Sequence, residues 1–112
     1  VVAVVVDLFF VARIRETARL VGVPLCFARS PEELEQAAKS GPRFALVDLT
    51  SERLDYDLIL AVAERARIPV LAFTTHALAR RTQMWHARCH RVVTKETLTL
   101  ELGALLQGGP VP

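Results

Sequence analysis

Val1-Val2-Ala3-Val4-Val5-Val6-Asp7, running on through Leu8-Phe9-Phe10 to Val11-Ala12-Arg13-Ile14-Arg15-Glu16-Thr17-Ala18-Arg19-Leu20-Val21-Gly22, decides how the rest of the chain is read. The first six residues are apolar, mostly β-branched and free of polar alternation, the pattern of a strand covered on both faces, as in a parallel sheet. From Val11 the period changes. Val11, Ile14, Ala18 and Val21 share one helical face while Arg13, Arg15, Glu16 and Arg19 fall off it, which predicts a helix that stops at Gly22. A buried strand followed by an amphipathic helix is one βα unit.

The unit recurs along the chain. Pro24 to Ala28 is a short apolar run, and Ser30-Pro31-Glu32-Glu33 supplies an N-cap serine, a proline at the first helical position and a glutamate three residues after the cap. Leu34, Ala37 and Ala38 form the apolar face of that helix, and Gly41-Pro42 ends it. Phe44 to Val47 reads as a third buried strand running into Asp48, with a helix over Leu58 to Ala66. Ile68 to Phe73 reads as a fourth strand ending at Thr74-Thr75, with a helix from Ala77 to about Arg88. Arg91 to Thr94 is a fifth strand before Lys95, and Leu98, Leu102, Leu105 and Leu106 stripe a last helix that stops at Gly108-Gly109-Pro110.

Repeated βα units predict an α/β fold: one doubly wound, five-stranded parallel sheet of flavodoxin-like order 2-1-3-4-5 with helices on both faces, a three-layer α/β/α sandwich. A closed eight-unit barrel needs roughly twice this length. With 112 residues the chain has room for one domain, expected over residues 1–107, with 108–112 as a C-terminal tail or the start of a linker. Charged residues make up 23% with nearly balanced signs, which excludes a disordered polyelectrolyte. Cys26 and Cys89 are too few and too far apart for a disulfide framework, and Cys26 reads as packing within the second strand. The run from Val1 to Ala12 is broken by Asp7 and falls short of the ~20 residues of a spanning helix. No basic segment precedes it as in a signal peptide. The expected setting is the cytoplasm, away from the membrane.

In open sheets of this order, ligands gather outside the carboxyl ends of the strands. Those ends carry Asp7, Asp48, Thr74 and Lys95. A carboxylate can attack a phosphoryl group, a second acid can help hold Mg²⁺, and a hydroxyl with an ammonium can bind the transferred phosphoryl.

In order and spacing, Val5-Val6-Asp7, Ala45-Leu46-Val47-Asp48, Pro69 to Thr74 and Val92-Val93-Thr94-Lys95 resemble the receiver domains of two-component response regulators (CheY-like). The resemblance spans nearly the whole chain and has the character of a degenerate, pseudo-receiver variant. It implies Asp48 as the phosphoacceptor, Asp7 as the acidic pocket, and Thr74 and Lys95 as the phosphoryl-binding and switch residues. It also implies Mg²⁺ held by Asp7, Asp48 and the backbone carbonyl of Thr50. Leu8 stands where the family has its second acid and offers no side-chain oxygen, so metal binding is expected to be weak or absent. Thr75 replaces a small residue, Glu96 replaces a proline after the lysine, and Val92 replaces the switch aromatic three positions before it.

From His76 to Arg91 the chain carries His76, Arg80, Arg81, His86, Arg88, His90 and Arg91 with no acid, plus Trp85. By the same resemblance this region forms the output and dimerisation face, with Arg80, Arg81, Trp85, Arg88 and Arg91 as its interaction residues. The reading is a signalling module that works by protein-protein contact with a histidine kinase, an output protein or a second copy, and is no enzyme beyond phosphorylation and dephosphorylation of Asp48 itself. An active phosphoacceptor with weakened Mg²⁺ binding is the first alternative. A small flavodoxin-like enzyme or ligand-binding domain is the second, disfavoured because no glycine-rich phosphate loop follows the first strand. Direct nucleic-acid binding is disfavoured by a net charge of only +2 and the absence of a recognition motif.

Overall fold

The computed structural model describes residues 1–110. Strands β1 (Val2–Val4), β2 (Cys26–Phe27), β3 (Ala45–Asp48), β4 (Val70–Thr74) and β5 (Arg91–Thr94) form one parallel sheet in the order β2-β1-β3-β4-β5. Helices α1 (Leu8–Val21), α2 (Pro31–Ala38), α3 (Tyr56–Ala66), α4 (Ala79–His86) and α5 (Lys95–Gly108) alternate with them. The fold class and strand order are those expected from the repeated units.

The sheet explains why its strands lack polar alternation. Val2, Val4, Ala45, Val47, Val70 and Ala72 face one way and pack with Leu34 of α2 and with Ile59 and Leu60 of α3. Ala3, Val5, Leu46, Leu71, Phe73 and Val93 face the other way, onto Phe10 and Ile14 of α1 and Leu98, Leu102 and Leu106 of α5. Both faces are covered, so each position along a central strand gains from an apolar side chain. Gly103 lets α5 close on α1: a Cβ there would lie 3.3 Å from Val21 Cγ1.

Local signals set several boundaries. Ser30 Oγ accepts from the Glu33 N–H at 3.1 Å, and Glu33 reaches back to the Arg29 N–H at 3.0 Å, so the proposed start of α2 is made by the expected residues. α1 begins earlier than expected, at Leu8, with Asp7 as its N-cap. Leu8 and Phe9 are exposed and so give no helical apolar period. β1 is shorter than the apolar run that announced it. α4 is also shorter than expected at both ends.

Cys26 is a correction to the sequence reading: β2 is a two-residue edge strand, and the cysteine is exposed rather than part of the core. α5 runs through Gly108, the first residue of the expected tail, with Gly109 as its C-cap, and Val111 and Pro112 lie outside the described residues. Among the described residues no helix is long and apolar enough to cross a membrane.

Candidate functional site

Asp48 and Thr74 are the last residues of β3 and β4, Lys95 directly follows β5, and Asp7 follows β1. The topology therefore brings all four to the carboxyl edge of the sheet. Among the described residues, however, no hydrogen bond or ion pair joins any two of them.

Each is engaged elsewhere. Asp48 is only 3% exposed, and its Oδ1 accepts from the Thr50 N–H at 2.8 Å and from the Thr50 hydroxyl at 2.5 Å. Asp7 Oδ1 accepts from the Phe9 and Phe10 N–H groups at 2.9 and 3.2 Å, which satisfies two of the orphan donors at the start of α1. Lys95 Nζ lies 5.0 Å from the centroid of the Phe10 ring, a cation–π distance, and Phe10 in turn stacks on Phe73 at 5.1 Å. The buried Thr74 hydroxyl pairs with Thr82 Oγ1 of α4 at 3.1 Å, and Thr82 Oγ1 lies 2.9 Å from His86 Nε2.

These engagements bear on a divalent cation. Mg²⁺ needs near-octahedral oxygen ligation. The two carboxylates each commit an oxygen to local N–H or O–H donors, and the third side chain of the pocket, Leu8, is apolar and 69% exposed beside a Phe9 that is 92% exposed. Thr50 presents its N–H and hydroxyl to Asp48. Among the described residues no three His, Cys, Asp or Glu side chains are grouped for a metal. As arranged, two carboxylates, each with one oxygen hydrogen-bonded locally, are the only acidic side chains that the strand ends offer a cation.

The sequence reading missed Tyr56, the first residue of α3. Its hydroxyl donates to the Asp48 carbonyl at 2.6 Å, shares that proton with the Ser51 carbonyl at 3.0 Å, and accepts from the Ser51 N–H at 2.9 Å. Burial raises the phenol pKa well above its ordinary value, the bond to Ser51 opposes this, and the Asp48 charge adds to it. The sequence reading also missed Thr82 as the partner of Thr74 and His86 as the partner of Thr82, although their i, i+4 spacing on α4 puts them on one helix face. The reach of Tyr56 leaves no trace in spacing.

The basic face divides in two. Arg80, Arg81 and Arg91 are exposed, and Met84 beside them is 70% exposed. Trp85 and Arg88 are half-buried and turn to α3. Trp85 lies 4.9 Å from Tyr56 between ring centroids, tilted by 54°, and its Nε1–H donates to Asp57 Oδ1 at 3.2 Å. Arg88 pairs with Asp57 at 3.3 Å and Glu64 at 2.8 Å. The acids that this stretch of sequence lacks are supplied by α3.

The fold is similar to that of the receiver domain of a sensor histidine kinase from Pseudomonas aeruginosa, solved with a magnesium ion coordinated in its active-site cleft. The TM-score is 0.73 over 95% of this chain and 92% of that one, at 20% sequence identity. No family model and no curated protein matches the sequence. At this identity the likeness establishes the receiver fold.

Proposed function

We propose that the chain is a receiver-type signalling module of a two-component or phosphorelay system that acts by binding a protein, with phosphotransfer to Asp48 no longer its principal control. The observation that carries this reading is that the side chains expected to flank Asp48 are engaged elsewhere, Asp7 as the cap of α1, Thr74 with Thr82 and Lys95 over the Phe10 ring. Phosphoryl transfer to a carboxylate needs charge-neutralising partners that converge on the transferred oxygens. Here Thr74 points to α4 and Lys95 to a ring, and Leu8 takes the place of an acid. Mg²⁺ binding at Asp7, Asp48 and Thr50 is correspondingly weak or absent in this reading.

The binding surface is the exposed part of the α4–β5 side, with Arg80, Arg81 and Met84 on α4 and Arg91 at the start of β5. Its charge favours an acidic protein partner, whether a histidine kinase, an output protein or a second copy. The domain in this reading covers residues 1–107, its address is cytoplasmic, and it catalyses nothing beyond its own modification.

A second reading, an active phosphoacceptor, is favoured by two observations. The neighbouring receiver coordinates Mg²⁺ in its cleft. Asp48 Oδ2 has no hydrogen bond among the described residues and is reached by solvent.

Adding Mg²⁺ with beryllofluoride to the ¹⁵N-labelled protein separates the two readings. The proposed function expects no saturable shift at Asp48, Thr50 or Thr74 and no phosphoryl mass gain with a small phosphodonor. A saturating response lost in Asp48→Ala would overturn it in favour of the active phosphoacceptor.

A further inference from the structure

We propose that Tyr56 is the positioning residue of the β3–α3 loop that carries Asp48, and that Trp85 stacked on it conveys the state of that loop to helix α4. The inference rests on Asp48 being the functional carboxylate of this fold, but not on whether Asp48 is phosphorylated.

One phenol oxygen spans the end of β3 and the following loop, touching the Asp48 carbonyl, the Ser51 carbonyl and the Ser51 N–H. A change at Asp48 that moves its backbone must either break the 2.6 Å bond or carry the ring with it. The ring is covered by Trp85 of α4. The indole is gripped twice from the first turn of α3, on its face by Tyr56 and at its Nε1–H by Asp57.

Around this contact the loop and α4 stand apart. A cleft of about 220 Å³ opens between them, lined by Leu49, Thr50 and Ser51 on one side and Leu78, Arg81 and Thr82 on the other. The aromatic pair lines this cleft and, with the edge of the core against which Trp85 packs, forms the contact through which a displacement of the loop reaches α4. α4 is the receiving element because Thr82 is its only buried residue. Arg81 and Met84, on the surface assigned above to a partner, lie within one turn of Trp85.

A second connection runs in parallel, from Thr74 through Thr82 to His86. It starts from β4 rather than from the Asp48 loop, so the two routes are separable by mutation.

The chain has one tryptophan and one tyrosine, which makes the test direct. In the intact protein, the Asp48→Asn substitution removes the charge while keeping shape and an acceptor oxygen. Its effect is read at the Trp85 indole N–H and the Arg81 and Met84 amides in ¹H–¹⁵N spectra. The expected result is a clear shift at all three. That shift should lose most of its size when Asp48→Asn is made in a Tyr56→Phe background, which keeps the stack but removes the hydroxyl, and should persist in a Thr82→Val background. An equal response with and without the Tyr56 hydroxyl overturns the proposal, as does no response at Trp85 or a response abolished by Thr82→Val alone. Should Tyr56→Phe fail to fold, Trp85→Leu replaces it: the Met84 response to Asp48→Asn must then shrink, and an undiminished one overturns the proposal. A beryllofluoride response would overturn the proposed function and leave this coupling standing, whereas a silent Trp85 would do the reverse.

Discussion

Helices α4 and α5 both adjoin β4, yet they are attached by different physics. α5 drives Leu98, Leu102, Leu105 and Leu106 into the core. Its first turn is closed by Thr94, whose Oγ1 accepts from the Thr97 N–H at 3.1 Å, and Glu96 sits favourably at the positive end of the helix. α4 has no side-chain cap on its N-terminal residue, carries Arg80 and Arg81 in the first turn against the helix dipole, and buries only Thr82. What holds it is largely directional: a chain of hydroxyls to β4, the contacts of Trp85 with Tyr56 and Asp57 together with partial packing of the indole on the core, and, just past its end, the Arg88 pairs to α3. Apolar burial is insensitive to small rearrangements, whereas a few directional contacts are lost together when their geometry changes. The difference makes α5 a fixed wall of the fold and α4 the helix whose position depends on the site.

The largest expected effect tests the wall. Leu106→Ala, at a position with no exposure, should cost about 2–5 kcal/mol in urea unfolding, through lost burial and the cavity left behind. Met84→Ala on α4 should change stability by no more than about 0.5 kcal/mol. Comparable losses at the two positions would break the contrast between the helices.

The same contrast governs what the sequence could disclose. The leucine stripe of α5 and the Ser30-Pro31-Glu33 start of α2 are written in local spacing, and the structure uses those residues as read. α4 was read as extending from Ala77 to Arg88, because its inner face holds Thr82 and His86 and therefore marks no apolar edge. At the site, strand-end position identified Asp7, Asp48, Thr74 and Lys95, since topology alone carries them to one edge. Where their side chains turn depends on competing partners close by: backbone N–H groups for Asp7, Thr50 for Asp48, the Phe10 ring for Lys95. Tyr56 was invisible for a related reason, because its role is a reach back over several residues to backbone atoms that every sequence possesses.

A middle-sized effect should come from the hydroxyl chain. Thr82→Val keeps the shape and leaves the buried Thr74 hydroxyl without its partner, a loss of about 1–3 kcal/mol if the group stays unsatisfied. Hydrogen exchange sharpens the comparison beyond the total: α4 amides should exchange faster in this variant while those of α5 change only with global stability. Uniform acceleration across both helices would mean that α4 unfolds with the core and has no separate attachment.

The smallest effect belongs to the Arg88–Glu64 pair, and acid isolates it. The hydrogen bond from Arg88 lowers the pKa of Glu64, slight desolvation opposes this, and the guanidinium charge adds to the lowering. A carboxylate whose pKa is lower in the folded state contributes stability above its unfolded value, about 4.3 for Glu, and loses that contribution as pH falls through the depressed folded value. The tether from α4 to α3 should therefore be whole at neutral pH and weaken below about pH 4. Both side chains are solvent-accessible, so salt screens the pair and its share of total stability is small. Amide shifts along α4 followed through this range should show a step that disappears in Glu64→Gln, while the α5 amides of the two proteins titrate alike. A step that survives the substitution would assign the acid response to another carboxylate and remove Arg88–Glu64 from the contacts that hold α4.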